Sequence, residues 1–197
     1  MFTVCGVDLS GSEKKASGLC FMSNDLEIET FLLKKDSEIL NMINKRRPKI
    51  VAIDAPLSLP KGRVSLYERS NIHLRECDRA LLAMGIKLFP ATLGPMRMLT
   101  ERGMRIKDFL IKEGFEVIEV FPGATQDILG LPRKNQGLKK LLIGLTEIGI
   151  KGLKEKMNSD ELDAVTCAYT ALLYLIGHCI ELGSKEEGII VIPKAFL

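Results

Sequence analysis

Three carboxylates stand where strands should end. Asp8 closes the apolar stretch of GVDLSGS, Asp54 closes that of VAIDAPL, and Glu119 lies near the end of VIEVFPG. Open α/β sheets hold their ligands at such ends. Each acid alone is also an ordinary strand-end residue reaching water or a turn. Three together are harder to dismiss. Strands rich in Val and Ile disfavour acids, and an acid kept from water is costly unless it is paired or metal-bound.

A further acid cluster lies in SDELDAVTCAYTALL. Ser159 reads as a helix N-cap. Asp160 and Glu161 then fall in the first turn, where the helix dipole favours negative charge. Asp163 lies past the cap. At about 100° per residue it shares a side with Asp160, Ala164, Cys167 and Ala171. These small residues permit close approach of helix and sheet, so Asp160 and Asp163 can project towards the sheet. Hard cations such as Mg²⁺ take oxygen ligands. A two-metal site for phosphoryl transfer needs three or four converging carboxylates around ions about 3.5–4 Å apart. The residues supply the acids and leave their convergence open.

Phosphate-binding candidates are Arg75 and Lys134, in motif-rich, loop-flanked segments, and Ser10 in the Gly-Ser loop after Asp8. The pairs Arg46-Arg47, Arg133-Lys134 and Lys139-Lys140 otherwise read as solvated surface. His73 and His178 read as incidental, and Cys77 as a packed thiol. Aromatic residues make up 6% with no Trp, which argues against a base-stacking single-strand platform.

The elements that must position these residues follow from patterning. Strands are expected over Phe2–Leu9, Ser17–Ser23 and Leu26–Leu33, joined as an antiparallel meander through a turn at Asn24-Asp25. Ser37 caps an expected helix over Glu38–Arg46, ended by Arg47-Pro48. Lys49–Ala55 is a continuous apolar run suited to a central strand. Two helices, His73–Met84 and Met96–Glu113, lie in an irregular segment broken by Pro60, Gly62, Pro90, Gly94 and Pro95. Phe115–Phe121 is a strand, Leu138–Ile148 and Ser159–Ile176 are helices, and Gly188–Ile192 adds a short strand. This order predicts an α/β fold whose mixed sheet combines an antiparallel meander with parallel strands, covered by helices. A single domain over 1–197 is expected, with a helical insertion at approximately 56–113. Ala164→Leu or Ala171→Leu should overpack the last long helix against the strand carrying Asp8.

Composition bounds the function. Of 197 residues, 46% are hydrophobic and 27% charged, which is ordinary for a globular chain. The net charge of +3 neither demands nor excludes nucleic acid. Five cysteines form no C-x-x-C pair and only two histidines accompany them, so a zinc site is not expected. Reduced thiols, an N-terminus without signal-peptide layout and no membrane-length apolar run predict a cytoplasmic protein.

The segments GVDLSGS, VAIDAPLSLP, RECDRALLAMGIKLFP, VIEVFPGA and DELDAVTCAY, in that order, resemble domain-of-unknown-function family 429, described as predicted ribonuclease-H-like nucleases. The resemblance implies a ribonuclease-H-like fold and points to Asp8, Asp54, Glu119 and Asp163 as catalytic and metal-binding residues for Mg²⁺ or Mn²⁺. A nucleic acid is the implied substrate, with DNA, RNA and a small phosphate ester all left open by the residues. Arg75, Cys77 and Asp78 belong to the family's insertion motif. The helix over Glu38–Arg46 carries Glu38 but no later acid, so the pattern departs from ribonuclease H itself. Two other functions compete with a metal-dependent nuclease. A non-catalytic interaction module would keep the acids for stability or ion binding. A nucleotide-binding phosphotransferase would need a second lobe to clamp its nucleotide.

Overall fold

In the computed structural model, which describes residues 2–195, seven strands form one sheet in the order β3-β2-β1-β4-β5-β7-β6. The strands are β1 (Thr3–Asp8), β2 (Ser17–Ser23), β3 (Ile28–Leu33), β4 (Ile50–Asp54), β5 (Glu116–Val120), β6 (Cys179–Ser184) and β7 (Gly188–Pro193). The pairs β1–β2, β2–β3 and β6–β7 are antiparallel, whereas β1–β4, β4–β5 and β5–β7 are parallel. The mixed sheet expected from the element order is therefore present. The helices are α1 (Asp36–Arg46), α2 (Glu76–Ala83), α3 (Met96–Lys112), α4 (Pro122–Ile128), α5 (Leu138–Glu147) and α6 (Ser159–Leu175).

Most elements begin and end within one to three residues of the sequence expectation, and local chemistry accounts for the shifts. Leu26 belongs to the β2–β3 turn, with φ +64°, so β3 starts later. Lys35, not Ser37, occupies the N-cap of α1; the Glu38 carboxylate accepts the Lys35 and Lys34 amides at 3.0 and 3.2 Å. The N-cap of α6 is Asn158, one residue before the expected Ser159, and its side chain accepts the Glu161 amide at 2.9 Å. Besides a one-turn 3-10 helix at Lys134–Gln136, two elements were not anticipated. Helix α4 follows β5 without a linker, with Pro122 at its first position, where a missing N–H does no harm. Strand β6 is a partly exposed edge strand whose polar residues hide its period.

The two faces of the sheet carry separate apolar clusters. On one face Val4, Ala52, Ile118 and Val120 pack against α6 and α5. On the other Cys5, Val7, Val51, Ile53 and Leu57 pack with residues of α1 and α3. Side chains alternate along a strand, so Asp8 follows Val4 and Gly6 onto the α6 face, and Asp54 follows Ile50 and Ala52 there. The segment between β4 and β5 carries α2 and α3. Helix α2 packs against β7 through Cys77, Leu81, Ile190 and Ile192.

Helix α6 is buried along most of its length and lies directly on β1 and β2. A Cβ on Gly6 would stand 2.2 Å from the Ala164 carbonyl oxygen and 2.3 Å from the Ala168 nitrogen. A Cβ on Gly18 would stand 2.0 Å from the Asp160 carbonyl oxygen. Backbone meets backbone at both points, so no side-chain rotation relieves the clash. Gly6→Ala should therefore destabilise the protein at or above the range of about 1–3 kcal/mol typical of overpacking, and Ala164→Leu should fall within it. Urea unfolding checks both. Wild-type midpoints for the two variants would contradict the close packing of α6.

Candidate active site

The parallel pairing of β1 and β4 sets Asp8 beside Asp54 in register. Helix α6 crosses above them, and its close seat on Gly6 and Gly18 brings Asp163 down to the same place. The electrostatics report the juxtaposition. Burial and then the charge of Asp163 push the Asp8 carboxyl up from an ordinary 3.8 to about 7. Asp54 is raised as well, by burial first and then by Asp8 and Asp163. Like charges held out of water oppose each other's ionisation.

Asp163 is 3% exposed and fully engaged. Lys134 Nζ donates to its Oδ2 at 2.6 Å, and Gln126 Nε2 donates to its Oδ1 at 2.9 Å. The Lys134 ammonium also acts on Asp8 and Asp54, drawing both downwards against the larger effect of burial. Its own pKa is raised: burial lowers it, but the bond to Asp163 and the surrounding carboxylates outweigh that. One ammonium thus counters a cluster of three carboxylates. Lys134 was among the sequence candidates. Gln126 was not, because it sits on the unanticipated α4 and a lone Gln in PGATQDI carries no periodic or chemical signal.

Glu119 borders this cluster, where its charge adds to the upward push on Asp54, but its carboxylate is committed elsewhere. It pairs with Ile53 across β4–β5 and so faces the α3 side of the sheet, between Ile118 and Val120 on the α6 side. Both its oxygens accept from the Arg75 guanidinium, at 2.6 and 2.7 Å. Oε2 also accepts the Leu57 amide at 2.7 Å. Arg75, expected to hold substrate, is 1% exposed. It forks onto Asp78 as well and donates to the Ser58 hydroxyl at 3.0 Å. Its pKa is raised, because Glu119 and Asp78 overcome a desolvation that would lower it. The motif residues Arg75 and Asp78 therefore form a buried ion-pair knot with Glu119. It ties α2 and the chain after β4 to β5.

Ser10 is likewise engaged within the protein. Its hydroxyl accepts from Arg102 Nη1 at 2.8 Å and lies within bonding distance of the Ser12 and Lys15 carbonyls. Arg102, buried on α3, also donates to the Ser10 carbonyl, the Lys34 carbonyl and Asp36. It fixes the loop that follows Asp8. Nothing in the sequence distinguishes Arg102 from the less buried arginines 97 and 105 of the same helix except its place on the apolar side.

Two clefts open beside the carboxylates. One, of about 440 Å³, is lined by Asp8, Ser10, Asp160 and the lysines 14, 15, 34 and 134. The other, of about 390 Å³, is bordered by Asp54, Lys87, Phe89, Arg133 and Lys134, with the Arg75–Asp78–Glu119 knot also on its wall. Cationic walls around an acidic centre suit a phosphate-bearing ligand. Among the described residues, no three or more His, Cys, Asp or Glu side chains are arranged to hold a metal ion. The donor chemistry nevertheless fits one. Asp8, Asp54 and Asp163 offer hard carboxylate oxygens whose mutual repulsion a divalent cation would relieve, as Lys134 partly does.

The sheet order, the parallel core and the crossing helix define a ribonuclease-H-like fold. RuvC from Thermus thermophilus shares it. The chain matches a RuvC structure solved in complex with a Holliday junction substrate at 16% identity and TM-score 0.51, covering 89% of this chain and 97% of that one. A second Thermus thermophilus RuvC structure matches at 16% identity and TM-score 0.52 over the same shares. The chain belongs to the family described as Protein of unknown function (DUF429), whose pattern matches residues 6–188. No curated protein matches it. No helix among the described residues is long and apolar enough to cross a membrane.

Proposed function

We propose that this chain is a metal-dependent nuclease in which Asp8, Asp54 and Asp163 hold Mg²⁺ or Mn²⁺ and hydrolyse a phosphodiester of nucleic acid. The observation that carries this reading is the convergence of the three carboxylates at one end of the sheet, countered by Lys134. A bound divalent ion would supply an activated water and neutralise charge developing on the phosphate. The protein's own groups do the rest. Gln126 fixes the rotamer of Asp163. The lysines around Asp8 attract and seat the phosphate backbone. Arg102 holds the Asp8 loop in place. Glu119 takes the part of an anchor in this scheme, with Arg75 joining the insertion to the sheet. The chain is read as one domain whose insertion, residues 56 to 113, builds a wall of the second cleft. Its five free cysteines suit a reducing, cytoplasmic setting.

The test combines calorimetry with cleavage. Mn²⁺ titrated into the wild-type protein should bind, and end-labelled DNA and RNA oligonucleotides should be cut with Mn²⁺ and left intact with EDTA. Absence of both binding and cleavage would overturn the proposal. Binding without cleavage of any oligonucleotide would favour the non-catalytic interaction module.

A further inference from the structure

The cleft beside Asp54 has a feature that phosphate binding alone does not use. Phe89 lines it and is 79% exposed. This ring is not on a loose end. The loop between α2 and α3 is pinned on both sides of it: Ile86, Ala91 and Thr92 are buried. The Ala91 carbonyl accepts from the Thr100 hydroxyl at 2.8 Å, and the Thr92 carbonyl accepts from Arg97 Nε at 2.7 Å. The Thr92 hydroxyl bonds His73 Nδ1 at 2.7 Å. Pro90 restricts the backbone of Phe89 itself. An anchored loop thus holds an aromatic face in water at considerable hydrophobic cost.

The surroundings specify what would cover that face. Leu88 and Met96 extend it as an apolar wall of the cleft, while Lys87, Arg133 and Lys134 supply cationic groups around it. The Arg133 guanidinium lies 5.7 Å from the centroid of the Phe121 ring, on the same cleft. A flat apolar surface beside cations, adjoining a carboxylate cluster, matches the parts of one nucleotide: base on ring, phosphate on cations. Arg133 already pairs with Asp127 and Lys134 with Asp163, so an apolar protein segment would use none of the cleft's cations and leave Lys87 unanswered, and an inorganic phosphate would leave the ring bare.

We propose that Phe89 stacks on an unpaired nucleobase of the strand whose phosphate lies at Asp54. A base inside a continuous duplex has both faces covered by its neighbours and offers none to Phe89. The substrate class is therefore nucleic acid that is single-stranded or locally unpaired, and continuous duplex is disfavoured. This deepens the nuclease reading by naming the form of its substrate, yet the stacking contact can be measured without metal.

The experiment uses the full chain and fluorescence anisotropy at low salt. The probes are a single-stranded oligonucleotide, a blunt duplex of the same sequence, and that duplex with one unpaired 2-aminopurine. Each is titrated in EDTA and again in Mn²⁺, with wild type, Phe89→Ala and Phe89→Trp. Wild type should prefer the single strand and the bulged duplex. Phe89→Ala should weaken both by about tenfold, within the range of one base–aromatic stack, and leave the blunt duplex unchanged. Phe89→Trp should restore the affinity and the quenching of 2-aminopurine. The ring is exposed, so all three proteins should fold alike, which circular dichroism verifies. Equal affinity of wild type and Phe89→Ala for every probe would overturn the stacking site and assign the ring to another kind of partner. So would equal loss on all three probes. Loss confined to unpaired bases, with no effect of Mn²⁺ on affinity or cleavage, would support the stacking site and remove the metal-dependent reading instead.

Discussion

Asp8→Asn should lower metal-dependent hydrolysis by more than about 100-fold and, without metal, make the protein more stable than wild type at pH 8. The loss of activity should exceed the 10–100-fold that follows removal of groups one step back from a metal, because Asp8 is itself a proposed ligand. The gain in stability comes from charge. The folded-state pKa of Asp8 is raised from 3.8 to about 7, so the folded form holds its proton where the unfolded form has lost it. That contribution to stability is complete below about pH 4, declines as pH rises, and is gone above about pH 7. An asparagine has no such dependence. A shift of this size corresponds to at most about 4 kcal/mol; partial solvent access and the coupling among the three acids reduce the expected gain to about 2 kcal/mol. Urea unfolding in EDTA at pH 5 and pH 8 measures it. The advantage of Asp8→Asn should be larger at pH 8. Equal advantage at both pH values would show that Asp8 carries no raised pKa.

Arg75→Met should cost about 3–5 kcal/mol. Arg75 is the shared cation of two buried carboxylates, bonded to Asp78 at 2.8 Å and to Glu119 at 2.6 Å. Removing it leaves both acids buried without a cation, held only by backbone amides, which is far worse than removing a whole ion pair. Arg75→Lys should recover only part of the loss, since an ammonium cannot fork onto two carboxylates. The double variant Arg75→Met with Glu119→Gln should be more stable than Arg75→Met alone. Because Glu119 also accepts the Leu57 amide, three residues beyond Asp54, the single variant should loosen the chain leading from the site. Hydrogen exchange at Leu57 and Ser58 would report that loosening. A loss below about 1 kcal/mol for Arg75→Met would mean that the knot is not an energetic anchor.

What the chain determines locally was largely legible in its sequence. Alternation and turn residues placed β1 to β5, because buried strands must be apolar and turns need Gly, Asn or Asp. The small residues of α6 announced its close contact with the sheet, and Asp163 its odd position past the cap. Three of the four expected acids then meet, since Asp8 and Asp54 lie on the α6 face of neighbouring parallel strands.

Tertiary structure alone decided the rest. Glu119 looks like Asp8 and Asp54 in sequence, as an acid near the end of an apolar strand. It follows Ile118, which faces α6, and one residue of register sends a side chain to the opposite face. Arg75 and Ser10 look like free polar groups, yet their partners are Glu119, 44 residues away, and Arg102, 92 residues away, which no local pattern can reveal. The same holds for Phe89: composition counts aromatic residues across the whole chain, whereas a binding surface depends on where one ring is held. Local periodicity specifies elements and faces. Which polar group meets which is set by the packing of elements distant in sequence.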